Sequence, residues 1–232
     1  MQRLGYLRRT LFVVLLLFVG GMAAITAYTL SRLRAENVVT GLESSAMHAH
    51  SFEDFLTQSL HVTELLAAYS VAPDTADFDE RRIQNDFVAI LRHAPFLRSM
   101  SLLDESGRII ASSNPLNVGI ELATQSYLPP VASAAEILRI GAPWSGRDFA
   151  AGKPATPTAV ADADLPGLIP VIRTLTVGKR NVTLLFALNP DYFIDHFARM
   201  VSAEEGSVEV LRYDGILLFG TDPALRAGAQ RD

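Results

Sequence analysis

Five histidines, 25 acidic residues and no cysteine are the raw material for chemistry in this 232-residue chain. Without cysteine there is no thiolate nucleophile, no thiolate metal site and no disulfide. His48 and His50 are two residues apart, so on a helix they point to different sides and cannot hold one metal ion together. His61 and Glu64 are three apart and share a helical face, but two ligands fall short of the three or four protein ligands a zinc site uses. The sequence contains no Gly-x-Ser-x-Gly, no P-loop and no His-Glu-x-x-His. The acid pairs Asp162/Asp164 and Glu204/Glu205 lie in loop-like stretches, where solvation explains them. The residues therefore predict no catalytic site, no metal and no cofactor, and the chain reads as a non-enzyme.

The elements that would position any other site begin with a membrane segment. Hydrophobic residues make up 49% of the chain and charged residues 19%. The run Leu11–Leu30 (LFVVLLLFVGGMAAITAYTL) holds no charge; as a helix it spans about 30 Å, the thickness of a bilayer's hydrocarbon core. A cleaved signal peptide is the alternative, with Gly21-Met22-Ala23 as a small-x-small site, but secretory apolar regions are about 7–15 residues long. The run is read as an uncleaved anchor. Arg3, Arg8 and Arg9 precede it and Arg32 and Arg34 follow it, which favours a cytoplasmic N-terminus. Gly20 and Ala24 form a small-xxx-small pair suited to close helix packing. Five of the 20 Lys+Arg lie in residues 1–34, which hold no acid, so the remaining 15 face 25 Asp+Glu, a balance of −10 beyond residue 34. Such an acidic body lacks the basic patch that nucleic acid requires.

From Ser31 to Tyr69 there is no proline, and Val38, Leu42, Ala46, Ala49, Phe52, Leu56, Leu60, Thr63 and Leu66 recur in steps of three or four. This is one face of a helix, a stalk ended by Pro73 and Asp74. Asp86–Arg92 predicts a short amphipathic helix. Ser99–Leu103 and Arg108–Ser112 predict a hairpin around Asp104-Glu105-Ser106-Gly107. Ile137–Ala142, Leu168–Leu175 and Val182–Leu188 are further strands, the last two joined by a turn at Lys179-Arg180-Asn181. Gly146–Gly167 reads as a long surface loop, and Pro190–Met200 as a helix opened by proline. Five strands without room for parallel crossovers predict an antiparallel sheet in an α+β fold.

The sequence then repeats itself. Ser99-MSLLDES-Gly107-RIIASSN-Pro115 overlays Ser207-VEVLRYD-Gly215-ILLFGTD-Pro223 with a period of 108 residues, and Gly119 and Gly228 follow one residue out of register. Two copies of one sheet module are expected, the second starting near residue 202. The organisation predicted is residues 1–10 as a cytoplasmic tip, 11–31 as a transmembrane helix and 32–72 as a stalk helix. Residues 73–189 form a first, membrane-distal module, 190–201 a connecting helix and 202–232 the first hairpin of a second module. On this reading the chain is a fragment or a truncated gene product.

An anchor, a long exported helix, a PAS-like sheet, a connecting helix and the start of a second sheet resemble the double Cache sensor domain of bacterial membrane receptors. The residues that carry the resemblance are LLDESGRIIASSNPLNVG (Leu102–Gly119), Tyr127, IGAPWSGRDF (Ile140–Phe149), LNPDYF (Leu188–Phe193) and LRYDGILLFGTDP (Leu211–Pro223). The resemblance implies a single-pass protein of the bacterial inner membrane whose body is periplasmic. It implies a small extracytoplasmic ligand, a homodimer formed through the transmembrane and stalk helices, and a cytoplasmic output, histidine kinase or diguanylate cyclase, absent from these residues. By position in the resembling segments, Tyr127, Trp144, Arg147, Asp148 and Arg173 are the candidate ligand-binding residues. Either Arg147 or Arg173 is suited to fork onto a carboxylate, and Trp144 to form a flat wall. For each the structural alternative stays open: Trp144 as core, Arg147–Asp148 as a loop brace, Arg173 on the solvent side of its strand. The Arg-x-Trp-Tyr motif of the amino-acid-binding members is lacking. The competing function is a membrane-tethered structural or interaction module with no small-molecule ligand.

Overall fold

The computed structural model describes residues 2–71, 79–123, 138–154, 167–177, 180–201 and 206–231. The chain divides into two compact units, residues 1–58 and 59–232. The first unit is made of helix α1, which runs Gln2–Val71 and contributes its last turns to the second unit. Every residue from Leu11 to Leu30 is exposed, and the most apolar window there has a mean hydropathy of 2.4. It is the one helix among the described residues long and apolar enough to cross a membrane. The hydroxyls of Thr26 and Thr29 donate to the carbonyls of Met22 and Ile25 at 2.8 and 2.9 Å, so these polar groups are satisfied within the helix. Past the apolar run, Arg32 pairs with Glu36 at 2.9 Å one turn on, while Val38, Leu42 and Met47 remain exposed.

In the second unit, Thr63, Glu64 and Val71 of α1 are buried. Helix α2 (Glu80–Leu91) begins earlier than the periodicity from Asp86 predicts, because the Asp79 carboxylate caps it, accepting from the Arg81 and Arg82 amides. Its Ile83 and Phe87, four residues apart, form the buried stripe. The strands are β1 (Leu97–Leu103), β2 (Ile109–Ser112), β3 (Arg139–Ile140), β4 (Trp144–Ser145), β5 (Lys153–Pro154), β6 (Ile169–Val177) and β7 (Arg180–Leu188). Five of them make one antiparallel sheet, as the sequence predicts, and the structure gives its order as β2-β1-β7-β6-β3. The reading of 146–167 as uninterrupted loop is corrected by β5, which pairs with β4 through Trp144↔Pro154 and Ser145↔Lys153. Two-residue strands carry no alternation to read.

Strand alternation separates the two sheet faces. Leu103, Ile172, Leu185 and Ala187 share one face, where they pack with Ile109, Leu122, Trp144, Phe149 and Leu168. On the other face lie Met100, Leu102, Val171, Arg173, Leu184 and Phe186, and this face meets the end of α1, where Arg173 pairs with Glu64.

After β7, helix α3 (Pro190–Met200) buries Phe193 and Phe197, whose rings stack on Phe219 of the next hairpin with centroids 5.7 and 5.9 Å apart. That hairpin, β8 (Glu209–Leu211) and β9 (Leu217–Gly220), reproduces the backbone pairing of β1–β2. Both contain a register shift at the same repeat position, Leu102/Leu103 and Val210/Leu211. The Met100 amide donates to the Ser113 hydroxyl at 2.9 Å, and the Val208 amide to the Thr221 hydroxyl at 2.9 Å. Gly107 and Gly215 take φ of 84° and 83°. A Cβ on either would stand 2.6 Å from a carbonyl oxygen, that of Leu122 or Arg231. The period of 108 becomes 109 after Pro223: Leu122 and Arg231 donate to Gly107 and Gly215, both at 2.9 Å. The offset between Gly119 and Gly228 is thus a one-residue insertion in an otherwise matching lattice.

Candidate functional site

A cleft opens at the end of the sheet where β1 begins, β7 ends and α3 starts. Its volume is about 680 Å³, within the ~300–1,000 Å³ range of small-molecule sites. One wall is polar, with Arg98, Asn114, Arg147, Asp148, Asn189 and Asp191; Pro95, Leu97, Pro115 and Leu116 supply apolar surface.

Asp148 is the hub of the polar wall. Its Oδ1 accepts from the Ser99 hydroxyl at 2.6 Å, from Asn117 Nδ2 at 2.9 Å and from the Phe149 amide at 2.8 Å. Its Oδ2 accepts from Asn114 Nδ2 at 2.7 Å. Ser99 and Asn117 are fully buried, and Asn117 Oδ1 accepts from the Ala150 amide at 3.0 Å. These bonds tie the β4–β5 connection to β1 and to the 3-10 turn Pro115–Asn117. Buried polar groups must be bonded, and this carboxylate meets that demand for two of them. Beneath it Ser101 and Ser112 share a buried hydroxyl–hydroxyl bond of 2.8 Å across β1–β2.

Arg98 closes the other side. Its Nε and Nη2 donate to Asn189 Oδ1 at 3.1 and 2.9 Å, and Nη2 donates to Asp191 Oδ2 at 2.7 Å. Asn189 occupies the N-cap position of α3 but makes no side-chain cap; its oxygen serves Arg98 instead. Burial lowers the Arg98 pKa from its usual value, Asp191 opposes that shift, and the like charge of Arg147 adds to it. The Arg147 side chain lines the cleft and is exposed. Among the described residues no hydrogen bond or ion pair engages it.

The five residues singled out from the sequence are thus dispersed. Arg147 and Asp148 come together in the cleft wall. Trp144 is 5% exposed and meets Phe149 edge-on at 5.4 Å inside the apolar cluster. Arg173 shares a face with Val171 and Leu175, as alternation predicts, but that is the face against α1, where Glu64 pairs with it. Tyr127 lies outside the described residues. His61, expected to share a face with Glu64, stands 3.9 Å from that carboxylate. Sequence reasoning missed Arg98, Asn114 and Asn189. The LNPDYF segment contained a usable signal, since an Asn directly before a Pro-opened helix is a cap residue whose side chain seeks a donor.

No protein-family model matches the chain, and no curated protein does. Solved structures share its fold. The extracellular domain of rpHK1S-Z16, described as a histidine kinase, matches with TM-score 0.52 at 18% identity, over 78% of this chain and 68% of its own. That of vpHK1S-Z8, likewise described as a histidine kinase, matches with TM-score 0.51 at 13% identity, over 79% of this chain and 69% of its own. An extracellular ligand-binding receptor from Desulfohalobium retbaense DSM5692 gives TM-score 0.51 at 11% identity over 79% of this chain. The match covers 32% of that receptor. The chain thus shares its fold with these extracellular domains, in line with the PAS-like sheet that the sequence resemblance implies.

Proposed function

We propose that the chain is the ligand-sensing part of a receptor of the bacterial inner membrane. Residues 11–31 span the bilayer once, the N-terminus is cytoplasmic, and the body is periplasmic. The observation that carries this reading is α1. One helix, Gln2–Val71, contains a wholly exposed apolar run and, in its last turns, Thr63, Glu64 and Val71 buried in the sheet unit. An event at the sheet thus has an unbroken helical path to the membrane segment, and a two-state shift of such an element is how sensors carry a signal. The fold shared with extracellular sensor domains supports the reading.

A second copy of the chain is the natural partner. Gly20 and Ala24 permit close packing in the membrane, and Val38, Leu42 and Met47 leave apolar surface on α1 beyond it. The hairpin at 206–231 starts a second sheet module, supported by its backbone pairing, which matches that of β1–β2. The output served is a histidine kinase or a diguanylate cyclase, and the residues described here act by binding rather than catalysis.

The filled sheet face favours a second reading, a membrane-tethered module for protein contacts: Trp144 and Phe149 occupy the surface opposite α1. The open cleft beside that face is what keeps sensing first. The test uses the whole chain in lipid nanodiscs, screened by thermal shift against organic acids, amino acids and amines. A stabilising compound supports sensing, and none in any class favours the contact module. Topology is checked separately. The chain has no cysteine, so Thr40→Cys should react with an impermeant maleimide from the periplasmic side of intact cells. Labelling only after the inner membrane is opened would reverse the orientation.

A further inference from the structure

The cleft between β1 and α3 has an uneven distribution of charge. Two guanidiniums and two carboxylates line it, and three of these four groups are already committed. Asp148 accepts four hydrogen bonds, and Arg98 and Asp191 hold one another at 2.7 Å. Arg147 is left as an exposed cation without a bond among the described residues, near enough to Arg98 that its charge opposes that of the buried guanidinium. Positive charge placed against positive charge beside a cleft is relieved by an anion. A second negative charge on that anion would meet Asp148 and Asp191 in the same wall, which disfavours a dianion such as phosphate. Pro95, Pro115 and Leu116, the last 77% exposed, offer apolar surface next to the cation, so the anion that fits carries a carbon skeleton.

We infer that this cleft binds a small organic monocarboxylate, its carboxylate forked by Arg147 and its apolar body against Pro95, Pro115 and Leu116. The inference rests on the sensing reading and names the ligand class for it. It also gives the bound molecule a route onward, because Asn189 and Asp191 in the same wall open α3, whose Phe193 and Phe197 stack on Phe219.

The test is a thermal-shift titration of the full chain in nanodiscs with benzoate and propionate, using benzamide as the uncharged match and inorganic phosphate as the dianion. Benzoate and propionate should bind. Arg147→Ala should weaken them roughly tenfold or more, the loss expected when a hydrogen-bonded charge is removed, with Arg147→Lys in between. Asp191→Asn keeps an acceptor for Arg98 while removing a like charge, and should tighten binding roughly threefold. Arg147 has no partner to lose among the described residues, so the Ala variant should melt as the parent does. Benzamide binding as well as benzoate, or phosphate binding in place of both, would overturn the carboxylate assignment. A carboxylate whose affinity is the same in Arg147→Ala would remove the cleft and leave sensing intact, whereas a screen with no binder of any class removes both.

Discussion

Replacing Asp148 by alanine tests whether the cleft loop is held by one carboxylate. The side chain accepts from Ser99, Asn117, Asn114 and the Phe149 amide at 2.6–2.9 Å. Asn114 is only half-buried, so water can replace its lost partner. Ser99 and Asn117 are fully buried; Ser99 Oγ and Asn117 Nδ2 are left with their mutual contact of 3.3 Å, while Asn117 Oδ1 keeps the Ala150 amide. Hydrogen bonds to a charged group contribute ~1.5–3 kcal/mol each, and a buried group left unsatisfied costs ~1–3 kcal/mol. Two such groups, with partial rescue, give a loss of about 3–5 kcal/mol for Asp148→Ala. For a domain of this size 1 kcal/mol moves Tm by about 2–4 °C, so the melt should fall by roughly 6–20 °C. Asp148→Asn keeps the size and one carbonyl oxygen but turns an amide donor toward Asn114, and should cost only about 1–2 kcal/mol. Trp144 is the chain's single tryptophan, buried against Phe149 next to this loop, so its emission during urea unfolding reports the transition. Arg147→Ala, one residue away and exposed, should change stability by no more than about 0.5 kcal/mol. If Asp148→Ala also falls within about 1 kcal/mol of the parent, the loop is held by its apolar contacts and the carboxylate is incidental.

A double-mutant cycle on Glu64→Gln and Arg173→Gln should give a coupling of roughly 1–3 kcal/mol, because both side chains are largely buried where α1 meets the sheet; additivity would mean the pair does not link them. Gly107→Ala should lose roughly 2 kcal/mol or more through its positive φ and the close Leu122 carbonyl, Gly215→Ala should do likewise beside Arg231, and an unchanged melt in either would refute the turn geometry. Acid stability follows from two turn carboxylates. The Asp104 pKa is lowered chiefly by the Ser106 hydroxyl and the Asp214 pKa chiefly by Arg212, both from the usual 3.8. A carboxylate depressed in the folded state contributes stability that is complete above its unfolded pKa and lost as pH falls through the folded one. Stability should thus decline below pH 3.8, and Asp104→Asn should flatten that decline in a pH series of urea midpoints.

What the sequence made legible follows from range. Strands β6 and β7 and helix α3 stand out because their alternation and periodicity lie within single segments, and α3 runs Pro190–Met200 as read. The repeat was readable for the same reason, since a serine, a glycine and a proline at fixed offsets mark a turn and its flanks. The cleft is different. Arg98 meets Asn189 and Asp191 across 91 and 93 residues, and Asp148 meets Ser99 across 49, pairings that only the sheet order β2-β1-β7-β6-β3 produces. Residues picked by position in a familiar segment consequently fell on three environments: the apolar cluster for Trp144, the α1 face for Arg173 and the cleft wall for Arg147 and Asp148.

The same strand order sets a timetable for making the protein. β1 is completed on one side by β2, its immediate successor, but on the other by β7, through pairs such as Met100↔Phe186 and Leu102↔Leu184. A ribosome adding ~5–20 residues per second takes about 4–15 s to pass from the end of β2 to the end of β7. Throughout that interval the early hairpin has an open edge and apolar side chains that the finished sheet covers completely, such as Met100, Leu102 and Leu103. Closing so long a loop is also slow once the segment is made. The nascent chain should therefore depend on a holding chaperone during synthesis, and arrest at any codon between β2 and β7 should yield a species prone to pair edge to edge with its neighbours.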